Sequence, residues 1–533
     1  MSTKKSKIIA VLAVIILAGI YYYVTLPAIN IHESGFWFFL AAVVAVILVI
    51  YGLRRRNSFH SVKDIKENKI IKVGLGVIIL IAVVYLIGSV LSSPIVNAKK
   101  YQKLITQTEG DFTEDIEQAD FDRIPLLDKD SAVLLGNRKM GSMVDMVSQF
   151  QVSDLYSQIN YQGKPVRVTP LEYASPIKWL TNQKAGIPAY ITIDMTTQNT
   201  ELVKLNEGIK YSMSEYFNRN IYRHLRFRYP TYMFDQLSFE IDETGTPYWI
   251  CPVKKFNIGL FGGQTIGRVV LCNAVTGETV DVPVDECPTW VDRVYPAELL
   301  IQLYNYHGTL KNGFLNSVLG QKGCLKTTEG FNYIAMDDDV WVYTGITSVT
   351  GDRSNVAFVL MNQRTMETRY YPVSGAEEYS AMDSAQGQVQ NLGYKATFPL
   401  LLNISNEPTY FMALKDEAGL VKKYAMVNIQ KYQNVAIGDT VAECQKQYTK
   451  LLSGMGISNA GGSDNLKVSG AIEKMAQAVI DGNSHFYITL TGKDGIFDVP
   501  VVDFPQIIGY DIGDTISFEY SEGSPANTVI VIE

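Results

Sequence analysis

Three runs, residues 8–26, 36–53 and 73–91, contain no Asp, Glu, Lys, Arg or His. Each approaches the roughly 20 residues that a helix needs to cross about 30 Å of hydrocarbon. Inside a bilayer every backbone polar group must be paired within the segment, so such runs fold as helices. Residues 1–97 therefore read as a three-helix transmembrane anchor. A cleaved signal peptide has an apolar stretch of only about 7–15 residues and no further spans behind it, so the first run reads as an anchor too. With no ionisable side chain inside the spans, the mark of an ion or substrate pathway is missing.

Charge sets the expected orientation. Residues 1–97 carry ten Lys/Arg against Glu33, Asp64 and Glu67, a surplus of seven positive charges. The N-terminal stub and the loop Arg54–Lys72 hold all ten, whereas the link 27–35 holds none. Basic loops stay in the cytoplasm, which places everything after about Ser92 outside the cell. The remaining chain keeps 37 basic and 51 acidic residues of the 47 and 54 in all, so the exterior is acidic. That excludes nucleic acid as a partner. Tyr21, Tyr22, Tyr23, Phe36, Trp37 and Phe38 form an aromatic belt at the outer interface.

Beyond the spans, β-branched and aromatic alternation in 189–194, 246–253, 268–273, 340–344, 357–362 and 409–414 predicts strands, giving an α+β body. Residues 98–188 read as a helical or irregular juxtamembrane region and 189–452 as a repeat region. The repeat shows in three strand ends, Asp194 with Thr197, Asn273 with Thr276 and Asn362 with Thr365, where an Asx side chain caps the turn before the next strand. Thr246-Pro247-Tyr248-Trp249 and Glu407-Pro408-Thr409-Tyr410 add a second recurring motif. The strand, turn and strand of 269–278 with a nearby helix resemble the PepSY domain, which implies PepSY-like α/β sheet units and a possible regulatory relation to proteases. Ser212 and Glu215 have capping-box spacing and predict a helix toward Phe227, with Glu215 paired to Arg219 on a solvated basic face; contact of that face with anionic headgroups is the sharper reading. A second helix over 375–391 presents a face of small residues.

Residues 453–465 form a Gly/Ser/Asn linker. The five strand-like segments of 466–533 resemble a small OB-type β-barrel, here acidic and suited to a structural or protein-binding role.

Catalytic motifs are few. The five histidines have no zinc spacing, and neither a GxSxG elbow nor a GxxxxGK[ST] loop occurs. Gly259–Gly267 is glycine-rich but joins two strands, which predicts a mobile hairpin loop. Asp337, Asp338 and Asp339 are the metal candidates, because clustered carboxylates suit Ca²⁺; the plainer reading is a polar turn between strands. Cys251, Cys272, Cys287, Cys324 and Cys444 are odd in number, and buried free thiols are the safer reading beside a possible Cys251–Cys272 bridge.

The stretches 165–173, 290–296 and 377–383 make the chain similar to uncharacterised membrane proteins of clostridia and related Gram-positive bacteria, a resemblance that brings no catalytic residues. The expected function is a non-enzymatic, membrane-anchored extracytoplasmic protein that binds or regulates another cell-envelope protein. The alternative is an envelope hydrolase with Glu377, Glu378 and Asp383 as acid and base. A sensor acting through the Arg54–Lys72 loop is a third reading, weakened because that loop holds no domain.

Overall fold

The structure, a computed structural model, describes residues 3–55, 67–119, 124–336, 338–349, 354–454, 466–480, 483–501, 504–521 and 526–532. Three helices, α1 (Thr3–Thr25), α2 (Ser34–Arg54) and α3 (Lys69–Ser92), are long and apolar enough to cross a membrane. Residues 56–66 of the basic loop and 455–465 of the linker lie outside the described residues. The chain divides into two compact units, Met1–Gly110 with Pro125–Ser374, and Asp111–Ile124 with Gly375–Glu533.

The outer part of the first unit is built three times from one plan, a helix followed by a four-stranded antiparallel meander. Helix α4 (Pro94–Gln102) continues from α3. The first repeat has α5 (Lys129–Gly141), β1 (Ser157–Tyr161), β2 (Lys164–Tyr173), α6 (Pro176–Asn182) inserted, β3 (Ile187–Asp194) and β4 (Thr200–Ile209). The second has α7 (Ile221–Arg228), β5 (Ser238–Ile241), β6 (Pro247–Ile258), β7 (Gly262–Asn273) and β8 (Thr279–Pro283). The third has α8 (Ala297–Thr309), β9 (Asn332–Met336), β10 (Asp339–Ser348), β11 (Ala357–Asn362) and β12 (Thr368–Tyr371).

The last hairpin of each repeat carries the same turn. The side-chain oxygen of Asp194 accepts the amides of Thr196 and Thr197, that of Asn273 accepts Val275 and Thr276, and that of Asn362 accepts Arg364 and Thr365. The next residue but one to each Thr donates its amide back to that Thr hydroxyl. Strand register is the same beyond the turn, with Ile193 opposite Thr200, Cys272 opposite Thr279 and Met361 opposite Thr368. Between them, Gln198, Gly277 and Met366 occupy the same left-handed position, at φ 61°, 76° and 66°. A β-carbon at Gly277 would also strike the Tyr211 ring.

The second sheet is buried on both faces. Trp249, Cys251, Val270 and Cys272 join a core with the first sheet and with Ile221 and Leu225 of α7. Ile250, Val269 and Leu271 join another with Leu300, Leu303 and Tyr304 of α8 and with the third sheet. A strand apolar on both faces is the expected reading of a sheet covered twice.

In the second unit the same plan recurs as α9 (Glu378–Gln388), β13 (Leu400–Ile404), β14 (Glu407–Lys415), β15 (Val421–Asn428) and β16 (Val435–Gly438). Helix α10 (Val441–Gly454) follows and buries Cys444, Tyr448 and Leu452. Strands β17 (Leu466–Ile480), β18 (Asn483–Leu490), β19 (Phe497–Pro500), β20 (Thr515–Ser521) and β21 (Asn527–Ile532) close into a barrel in the order β17-β18-β19-β21-β20, filled by Ile472, Leu490, Phe497 and Phe518.

Three expectations change. The region 98–188 contributes sheet as well as helix, since β1 and β2 lie within it; Pro165 and Pro170 and the inward-turned Arg167 mask their alternation. The helix near Ser212 starts only at Ile221, capped by Asn220, because Glu215 turns inward to accept Tyr173 Oη and Trp179 Nε1, both at 2.7 Å. Arg219 donates to the Gln183 carbonyl instead of pairing with Glu215.

The glycine-rich hairpin is docked. Ser92 Oγ accepts the amides of Leu260 at 2.8 Å and Phe261 at 3.2 Å, and the Phe261 ring sits against Tyr85 and Trp37. A β-carbon at Gly262 would collide with the Ser92 carbonyl and the Tyr101 hydroxyl, so glycine is required there. A second attachment lies at the α1–α2 link. Arg226 Nε donates to the Leu26 carbonyl at 2.9 Å, Ile29 donates to the Pro230 carbonyl, and Asn30 Nδ2 donates to the Thr231 carbonyl.

Candidate functional site

β4 is the last strand of the first sheet and is paired with β3 alone among the described strands. A cleft of about 810 Å³ runs along it. Its floor is the face carrying Thr192, Asp194, Glu201, Val203 and Leu205, and its far wall is the turn 242–247 and the Asx turn 273–276 of the second repeat. Tyr190 Oη donates to the Gly245 carbonyl at 2.8 Å and ties wall to floor. The wall turn is itself fixed, since Asp242 Oδ1 accepts the amides of Thr244 and Thr246 and the Thr244 hydroxyl.

Charges of both signs line this cleft, Lys164 and Lys204 with Asp194, Glu201 and Glu207. Burial works against the Asp194 carboxylate, but the amides and hydroxyls of Thr197 and Thr196 outweigh it and hold its pKa below the ordinary value. It is a fixed negative charge. Val203 and Leu205 offer apolar contact between these groups, and β4 presents a strand edge, so the cleft suits an extended polypeptide with alternating side chains.

A second polar centre lies where the three repeats of the first unit meet. Glu240 on β5 is fully buried, and its oxygens accept the amides of Asp292 at 2.9 Å and Arg293 at 3.2 Å and the Ser238 hydroxyl. Asp292 Oδ2 accepts the amide of Asn160 on β1 at 2.7 Å, whereas Oδ1 is buried with no hydrogen-bond partner. Burial pushes Glu240 up to about 7, and burial with the neighbouring Glu240 charge holds Asp292 well above the carboxylate range. Such a pair retains a proton near neutrality.

The Asp337–Asp339 turn borders this centre. Asp337 lies outside the described residues. Asp338, at φ 63°, accepts Asn160 Nδ2 at 2.9 Å. Asp339 is taken by Arg364, whose Nε and Nη2 reach its two oxygens at 2.6 and 2.8 Å, and by Asn362 Nδ2. Among the described residues no group of three His, Cys, Asp or Glu is placed to hold a metal ion.

The carboxylates of the hydrolase alternative lie along one helix, two at its start and Asp383 at its middle. Glu377 caps α9 and takes the Ser380 hydroxyl, Glu378 is buried, and Asp383 takes Gln386 Nε2. The cleft and the two smaller cavities of the first unit do not include them. All five cysteines are free and buried; burial raises Cys251 well above its ordinary value and Cys272 to about 12, which keeps both as inert thiols.

The Asx turns that wall the cleft are readable in the sequence, but the cleft itself needs two repeats side by side. Glu240 and Asp292 carried no local signal, because their partners are distant in sequence.

No family model matches the chain, and no curated protein matches it. Among solved structures, a crystal structure of an ACO/RPE65 chimera is similar at 8% identity, over 73% of this chain and 66% of that one, just under two thirds of its length, with a TM-score of 0.14. That overlap carries no argument about fold or activity.

Proposed function

We propose that this chain is a non-enzymatic, membrane-anchored extracytoplasmic protein that binds an extended segment of another cell-envelope protein in the cleft along β4. The observation that carries the reading is the cleft itself, a sheet face that ends at the edge of β4 left unpaired among the described strands, walled by fixed turns and lined by both charged and apolar side chains. The basic Arg54–Lys72 loop supports a cytoplasmic N-terminus and an exterior location for the sheets. The helix-and-meander repeat supports the PepSY resemblance, and the barrel's strand order, with β19 parallel to β21, supports the OB-type one.

Photo-crosslinking from position 205 in native membranes tests the proposal. One stoichiometric envelope adduct, abolished when Glu201 and Lys204 are exchanged for opposite charges, is the expected result. An uncrosslinked monomer, or an adduct indifferent to those changes, refutes it.

A further inference from the structure

The sheets' attachment to the helix ends leaves apolar side chains with no protein cover. On one side of the bundle, α6 exposes Ile177 (71%) and Leu180 (62%) on one face, one turn apart, and the adjoining turn exposes Phe217 (64%). Trp179 of α6 packs on Phe217, and the Phe217 turn leads directly into α7. On α7, Phe227 lies against Tyr22 and Tyr23 in the last turn of α1, and the Arg223 guanidinium lies 4.8 Å over the Tyr23 ring.

At the hairpin attachment, the turn after α8 exposes Leu315 (73%) and Leu319 (79%). Its neighbours Leu310 and Phe314 pack with Tyr101 and with Ile258, at the root of the hairpin whose tip sits on α3. Both apolar wings are thus continuous, through named contacts, with the ends of helices that cross the bilayer.

Tyr85, which meets Phe261, lies seven residues before Ser92, or about 10 Å down the helix at 1.5 Å per residue. The hairpin therefore reaches the depth at which apolar rings meet headgroups and acyl chains. Charge agrees with that environment. Segments 175–184 and 215–228 carry six Lys/Arg against Glu215 alone, and Glu215 is turned inward to Tyr173 and Trp179. Arg226 is buried on the Leu26 and Tyr232 carbonyls and Arg219 donates to the Gln183 carbonyl, so Lys178, Lys184, Arg223 and Arg228 are the charges left for an outside ligand. Arg223 Nε is buried without a hydrogen-bond partner.

We infer that the two wings lie in the membrane surface, with Ile177, Leu180, Phe217, Leu315 and Leu319 among the acyl chains and Lys178, Lys184, Arg223 and Arg228 on phospholipid phosphates. The occupant of these faces is the leaflet on the sheets' own side of the bilayer, whichever side that is, so the inference stands apart from the proposed partner. A basic, apolar-edged surface of this kind takes anionic lipid in preference to neutral lipid.

The full chain, carrying an NBD-labelled cysteine at Leu180 or at Leu319, tests this in vesicles of phosphatidylcholine and phosphatidylglycerol containing a doxyl-labelled phospholipid. The five native thiols are buried, so the added cysteine takes the label. Loss of NBD emission at both positions is expected. Emission unaffected by doxyl lipid at either position overturns the inference, since water or a second copy of the chain then covers that wing. Phe217 and Leu315 replace Leu180 and Leu319 if either variant loses its native tryptophan emission.

Discussion

Replacing Glu240 with glutamine should remove much of the pH dependence of the first unit's stability, because burial is what raises the pKa of this one carboxyl. In the folded chain Glu240 is raised from 4.5 to about 7, and Asp292 stands well above 3.8. The folded state therefore holds protons that the unfolded chain has released; Glu240 makes stability fall as pH rises from about 4.5 to about 7, and Asp292 adds a fall in the same direction that begins near 3.8. At about 1.4 kcal/mol for each tenfold change, the rise of Glu240 corresponds to about 3 kcal/mol lost across that window. In Glu240→Gln the side-chain carbonyl would still accept the Ser238 hydroxyl and the Arg293 amide, while the new Nε2 would face the Asp292 amide, a cost that is the same at every pH. Between about pH 4.5 and about pH 8, Glu240→Gln should lose about 3 kcal/mol less stability than the parent, about 5 °C in Tm for a unit of this size. Trp37, Trp179, Trp249, Trp290 and Trp341 all belong to the first unit, so tryptophan emission on heating reports it without the barrel. A pH slope in Glu240→Gln equal to the parent's would refute the reasoning.

Other changes have different expected outcomes. Arg364→Met leaves the buried Asp339 carboxylate with Asn362 alone and should cost about 3 kcal/mol in the same melt, because removing one partner strands a buried charge. Gly277→Ala forces a β-carbon into the Tyr211 ring at a left-handed φ and should cost about 2 kcal/mol, whereas Gln198→Gly at the equivalent turn position should be within about 1 kcal/mol of neutral. Ser92→Ala removes the acceptor of two amides; hydrogen exchange at Leu260 and Phe261 should quicken about tenfold for each 1.4 kcal/mol released, with exchange in β11 unchanged.

The spans were legible because twenty residues without a charge permit one structure in a bilayer, and no tertiary contact is needed to decide it. The Asx turns were legible for a similar reason, since Asp194, Asn273 and Asn362 each bond to amides within three residues. What failed was long-range. Ser212 does accept the Glu215 amide, as a capping box begins, but the Glu215 side chain is drawn to Tyr173 and Trp179 some forty residues earlier, and the helix waits for Asn220. Asp338 and Asp339 stood out as neighbours in sequence, yet they diverge to Asn160 and Arg364. Asp292 meets the Asn160 amide across 132 positions, a pairing that only three assembled repeats create. The cleft along β4 has the same origin.

The two attachments of the sheets to the helices have a mechanical consequence. A body pinned at one place can swivel, but here the Arg226–Leu26 contact and the Ser92 hairpin clamp engage different helices, α1's end and α3, at separate points. The cleft is consequently fixed in both height and azimuth relative to the three helices. Tension on a segment seated along β4 would arrive at α1 and α3 as torque, with no slack linker between the cleft and the bundle to absorb it.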